Sequence, residues 1–250
     1  MRPTIRFVVV TALRDRLFVS LLSLLAVVFA VSLYVGGGAV FEKGEMAVAF
    51  AGGAGRAALV LGLTVFVSFH VERIYETREI EAILARSISR AGFVVSYWLG
   101  LVVVAVALAL PVIGFMAAFQ LSPLGAAWWC ASLVLECCIV LAFVLFAAVT
   151  IERAIPTIFT TVGFYGLSRL VSFVLGIAVH GEQNGINVVT NPLFETLALF
   201  IPRLDLFCQT RWLVYGPEAG ESLWLIPVQA VLYVPFLLAM AVFDLRRKQF

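Results

Sequence analysis

Apolar residues along this chain fall into long, nearly unbroken runs, not into the narrow stripe of a solvent-facing helix. A helix needs about 20 mostly apolar residues to cross a bilayer. Six segments meet or approach that length: Leu17 to Gly36, Arg56 to His70 (longer if it begins near Met46), Gly92 to Phe119, Ala126 to Thr150, Ala154 to Val179, and Leu223 to Phe243. The pattern predicts an all-α, polytopic integral membrane protein with six transmembrane helices in one domain spanning residues 1–250. The first span follows four arginines and is too long for the apolar core of a signal peptide, so it is expected to be retained. Residues 1–16 read as an interfacial helix, with Ile5, Val9, Ala12 and Leu13 toward lipid and the arginines toward headgroups.

The polar positions then orient the spans. Arg2, Arg6, Arg14, Arg16, Arg73, Arg78, Arg86, Arg90, Arg153, Arg246, Arg247 and Lys248 fall on one side of the predicted membrane. Lys43, Arg203 and Arg211 fall on the other, with Arg56 near that edge. The side rich in Lys and Arg is the cytoplasmic one, so both termini are expected in the cytoplasm. Two connections exceed simple turns. Residues 71–91 form the most charged stretch, and residues 180–222 form an outer loop whose short apolar runs cannot span. Buried short helices that re-enter the outer leaflet would suit the latter.

Composition narrows the function. The 250 residues are 63% hydrophobic and 13% charged, which leaves too little polar surface for a soluble enzyme or a nucleic-acid-binding domain. Lys43 and Lys248 are the only lysines, and neither stands in G-x-x-x-x-G-K-[ST], so the chain has no phosphate-cradling loop for ATP. No catalytic, cofactor-binding or metal residues are expected. Cys137 and Cys138 are adjacent on a helix and point about 100° apart, which does not suit a shared metal. His70 and His180 are lone residues at span ends, and no Ser/His/Asp spacing occurs. The glycines at 36–38 and 52–55 read as helix ends and flexible connections, and the tryptophans as an aromatic belt, with Trp98 set deeper.

Two features could carry function. In the cytoplasmic loop, Thr77, Ile80 and Leu84 share a helical face, and Arg73–Glu76 and Arg78–Glu81 can pair at i, i+3, so a helix from about Glu72 to Ala85 fits. It is either a solvated connection or a docking surface for a soluble partner. Second, Glu136 and Arg169 lie at equal depth, each about sixteen residues or about 24 Å from the turn at Glu152-Arg153. Charges inside a bilayer are costly unless compensated. A structural salt bridge between them is the simpler reading; a polar element of a translocation path or a proton relay is the other.

The segment REIEAILARSISRAGFVVSYWLG, Arg78 to Gly100, resembles the membrane subunits of ABC exporters of the type-2 permease family. Ile83-Leu84 match that family's apolar pair and Ile88-Ser89-Arg90 its turn, whereas Ser87 replaces the usual proline and Glu81-Ala82 the usual glycine-threonine pair. FIPRLDLF, with Pro202, Leu204 and Phe207, is similar to an element of that family's outer hairpin, most familiar from permeases grouped with copper-enzyme maturation. The resemblance implies six spans, cytoplasmic termini and a broken helical hairpin between spans five and six. It implies a second permease copy or sister chain, two separate ABC ATPase subunits that bind ATP and Mg, and a place in the bacterial inner membrane. Glu72, Glu76, Arg78, Glu79, Glu81, Leu84, Ser87, Ser89 and Arg90 would couple to those ATPases. The expected function is ATP-driven export, with a hydrophobic or amphiphilic cargo because few polar groups remain to line a path. The alternatives are an ATPase-independent carrier or intramembrane enzyme using Glu136 and Arg169, and a mechanical role without transport.

Overall fold

The computed structural model describes residues 2–38, 43–77, 89–119, 122–180, 201–218 and 222–247. Every regular element among them is helical: α1 (Arg2–Arg14), α2 (Arg16–Gly38), α3 (Lys43–Glu76), α4 (Arg90–Phe119), α5 (Pro123–Ile151) and α6 (Ala154–His180), then a 3-10 turn at Leu204–Leu206, a short α7 (Arg211–Tyr215), and α8 (Leu225–Arg247). Five of them, α2, α3, α4, α5 and α8, are long and apolar enough to cross a membrane. The chain is therefore a helical membrane protein. α6 coincides with the fifth expected span and runs for 27 residues.

Local chemistry sets the helix ends. Ser122 caps α5 by accepting the Gly125 N–H, with Pro123 at the first helical position, where its missing N–H costs nothing. At the other end Glu152 adopts a left-handed φ of 63° and returns its N–H to the Ala148 carbonyl, closing α5 before α6 begins at Ala154. Ser89 caps α4: its Oγ accepts the Gly92 N–H at 3.0 Å. Asp15 separates α1 from α2 and caps the latter through the Leu17 N–H at 2.9 Å.

α5 is the centre of the bundle, packed against α3, α4, α6, α7 and α8. It is also the most enclosed of the five candidate spans: 61% of its apolar window is buried, against 22% for α2, which presents most of its surface outward. Lipid is as apolar as a leucine side chain, so close packing replaces the hydrophobic effect as the force between such helices. Small residues make the close approaches. A Cβ on Gly36 would stand 2.7 Å from that of Ala47, between α2 and α3, and one on Gly100 would stand 2.8 Å from Val8, between α4 and α1.

Several expectations are corrected. α3 begins at Lys43, close to the longer alternative near Met46 and not at Arg56, so Gly52, Gly53 and Gly55 lie inside a helix and not in a flexible connection. At 34 residues it is about 51 Å long, well beyond the roughly 30 Å hydrocarbon core. The helix expected over Glu72 to Ala85 is not separate from the second span at its start, because Glu72 and Glu76 form the last turns of α3. In α1, Ala12 is fully buried with Val8, and α1 packs on α4, so Ala12 does not face lipid. Trp129 and Trp212 are core residues, at 0% and 1% exposure, and not part of a belt. Their indoles fill the junction of α5 with α7, a packing role that depth alone does not distinguish from an interface role.

Candidate functional site

Two charged regions stand out, one near the middle of the long helices and one at an end of the bundle. The first is a buried knot. Glu136, on the central helix α5, has 0% exposure. Its Oε1 accepts the Tyr165 hydroxyl of α6 at 2.9 Å. Arg56 of α3 lies within electrostatic reach of it and donates from Nη1 to the Cys208 carbonyl at 3.1 Å. Cys208 has a φ of 50°, a left-handed conformation that a non-glycine residue adopts only under constraint. Arg56 supplies half of the constraint. Ser132, one turn before Glu136, supplies the rest by accepting the Cys208 N–H at 3.0 Å. Burial pushes the Cys208 thiol well above its ordinary range, and Glu136 beside it adds to the shift. Cys208 is thus a neutral group at neutral pH.

The expected Glu136–Arg169 pair does not form. Arg169 instead donates from Nη1 to the carbonyls of Leu204 and, at 3.0 Å, Phe207, with Tyr165 beneath its guanidinium at 6.0 Å. Equal depth was not sufficient, because the 3-10 turn presents two backbone acceptors to the arginine at close range. The Leu204 carbonyl also accepts the Phe207 N–H at 3.1 Å, but the buried Phe207 carbonyl depends on the arginine, and an unmade hydrogen bond there costs about 1–3 kcal/mol. Pro202, Leu204 and Phe207 are buried, so the segment 201–218 is a packed cap on the bundle. The sequence does place these three residues in a short structured element. Arg56, Ser132, Tyr165 and Cys208 were missed as members of the knot, since nothing in local spacing links four elements.

The knot is not fully satisfied. Among the described residues, Glu136 Oε2, Arg56 Nε and Trp129 Nε1 are buried without a hydrogen-bond partner. Orphaned buried polar atoms are rare in native structures and point to strain or to function.

The second region is the end where α3 and α8 finish and α4 starts. Arg90, the first residue of α4, donates from Nη1 to the carbonyls of Leu245 at 2.7 Å and Arg246 at 3.0 Å, in the last turn of α8. A cation there satisfies carbonyls that lack helical partners and meets the negative end of the helix dipole. Ser89 is exposed and caps the same helix start. Of the remaining expected coupling residues, Glu72 and Glu76 lie on α3, while Arg78, Glu79, Glu81, Leu84 and Ser87 lie outside the described residues.

α4, α5 and α8 enclose a lateral groove of about 890 Å³. Trp98, Cys138, Val234, Pro235 and Phe243 line it, with Arg246 at its mouth. The Trp98 indole N–H is spent on the Cys138 carbonyl at 3.2 Å, which leaves the groove wall apolar. Pro235 removes one backbone hydrogen bond from α8 at this level. Among the described residues no group of His, Cys, Asp and Glu is arranged to hold a metal ion. No known protein-family model matches the chain, and no curated protein matches it.

Proposed function

We propose that this chain is the permease subunit of an ATP-driven exporter of the ABC type-2 class, with both termini and the 71–91 segment in the cytoplasm. It would work as a pair with a second permease, each with six spans, over two separate ATPase subunits that bind ATP and Mg. The observation that carries the reading is the linkage at Arg90. The charged segment 78–88 leads directly into Ser89 and Arg90, and Arg90 grips the end of α8. A partner that displaces this segment would move the start of α4 and the end of α8 together. Those two helices are walls of the apolar groove, so a push from below reaches the lateral opening. An apolar groove of this size suits a hydrophobic or amphiphilic cargo. The resemblance of Arg78–Gly100 to type-2 permeases supplies the identity of the pushing partner. The remaining span, fifth in chain order, would be α6.

The test is affinity purification from native membranes followed by mass spectrometry and an ATPase assay. An ABC ATPase should co-purify, and Glu79→Lys with Glu81→Lys should reduce both its recovery and cargo-dependent hydrolysis. Recovery and hydrolysis unchanged by the charge reversal would remove the coupling assignment. One observation favours a second reading: Glu136 Oε2 is buried and unpartnered among the described residues. A proton-coupled carrier acting through Glu136 would transport without any ATPase and lose activity in Glu136→Gln.

A further inference from the structure

The corner between α1 and α2 holds a cavity of about 680 Å³ that neither the linkage at Arg90 nor the buried knot uses. Asp15 creates the corner by interrupting the helix: its Oδ1 takes the Leu17 N–H and its carbonyl the Phe18 N–H at 3.1 Å. That turn sets Arg14 and Arg16 on the cavity wall, and α3 contributes Arg73 and His70 from the facing side. The three arginines are exposed, and among the described residues none is ion-paired. One aspartate, already engaged as a helix cap, leaves the site with an excess of positive charge. His70 is the built part. It is 4% exposed, stacked between Phe66 at 5.4 Å and Tyr97 at 6.1 Å, and its Nε2 has no hydrogen-bond partner among the described residues.

Two observations say what the site would take. Forked guanidinium groups around an unfilled cavity match the oxygens of a phosphate. Phe7 and Val10 line the cavity edge and, with Leu13 beyond it, form an exposed apolar strip along α1. A free phosphate has no use for that strip, but acyl chains do. We propose that the α1–α2 corner binds the phosphate headgroup of an anionic phospholipid, with the acyl chains laid against Phe7, Val10 and Leu13. The occupant would pin the α1–α2 corner to α3. The site is independent of the exporter reading, because it requires only a membrane surface at the basic end.

The experiment uses the purified full chain in phosphatidylcholine–detergent micelles, titrated with dioleoylphosphatidylglycerol. Melting temperature and lipid retention by native mass spectrometry are the readouts. Parallel arms use more phosphatidylcholine, and inorganic phosphate at matched ionic strength. Phosphatidylglycerol should raise the melting temperature saturably, and Arg14→Gln with Arg73→Gln should weaken its apparent affinity by about tenfold or more. Arg14→Lys with Arg73→Lys, which keeps charge but removes the forks, should weaken it by a smaller factor. Arg246→Gln with Arg247→Gln, basic residues away from the corner, should leave it unchanged. The proposal is overturned if phosphatidylcholine or inorganic phosphate reproduces the shift. It is equally overturned if the lysine variant binds as the parent does, or if the Arg246/Arg247 variant loses as much as the glutamine variant.

Discussion

Near the middle of the long helices Arg56, Glu136 and Arg169 are drawn into the protein and tied to Cys208, Tyr165, Leu204 and Phe207. At the basic end of the bundle Arg14, Arg16 and Arg73 stand exposed around a cavity, and Arg90 reaches across a helix junction. The same residue type does different work in the two places. Inside, each guanidinium offsets a specific buried acceptor, and moving it would strand that acceptor, so the cap and the long helices behave as one body. At the basic end the charges keep access to water and headgroups. Rearrangement there costs little, and this is where a partner or a lipid can act. A buried charge fixes geometry; an exposed one leaves it adjustable.

The contrast is broken most severely at Arg56. Arg56→Met should destabilise by about 3–5 kcal/mol, because it leaves Glu136 as an uncompensated buried acid. Denaturant unfolding in micelles reads this, and adding Glu136→Leu should recover much of the loss. Arg169→Met should cost less, about 1–3 kcal/mol, by orphaning the Phe207 carbonyl. Hydrogen exchange should then rise across residues 201–218. Arg169 and Glu136 do not pair but both meet Tyr165, so Arg169→Met and Glu136→Gln should show an interaction energy of only about 0.5–1 kcal/mol; coupling near about 3 kcal/mol would restore the direct pair. Gly100→Val should cost about 1–3 kcal/mol by forcing α1 off α4, seen as faster proteolysis of the first 14 residues. The smallest stability effect belongs to the basic end. Ser89→Ala should cost about 1 kcal/mol, while its effect on cargo-dependent ATP hydrolysis should be out of proportion to that loss. A Ser89→Ala variant with unaltered hydrolysis would separate this helix start from coupling.

Much of the scaffold was legible in order of sequence. The turn at Glu152-Arg153 was readable because two apolar runs flank a charged pair, and a left-handed cap at Glu152 makes it. The short apolar runs of the outer loop were readable as pieces too short to span, and the resemblance of FIPRLDLF to an outer-hairpin element singled out Pro202, Leu204 and Phe207. The start of α3 was left open between Arg56 and Met46, because glycines at 52, 53 and 55 signal a loop in water, whereas Gly52 and Gly55 lie on a packing face. The knot was legible only as two intramembrane charges. Counting residues gave Glu136 and Arg169 the same depth, but depth is one coordinate of three. Which way each side chain turned was set by Cys208 and the 3-10 turn, returning from more than 35 residues further along the chain than Arg169.

The sequence by itself determined that this chain lives in a membrane, and where its long helices run. Those properties follow from the transfer of apolar runs out of water and from rise per residue, both of which are local. Tertiary structure alone decided which charges meet: Arg56 with Cys208, Arg169 with the cap, Arg90 with the end of α8. Partner choice depends on azimuth and on long-range return of the chain. A backbone carbonyl left without a partner competes for a guanidinium as well as a carboxylate does when it is nearer.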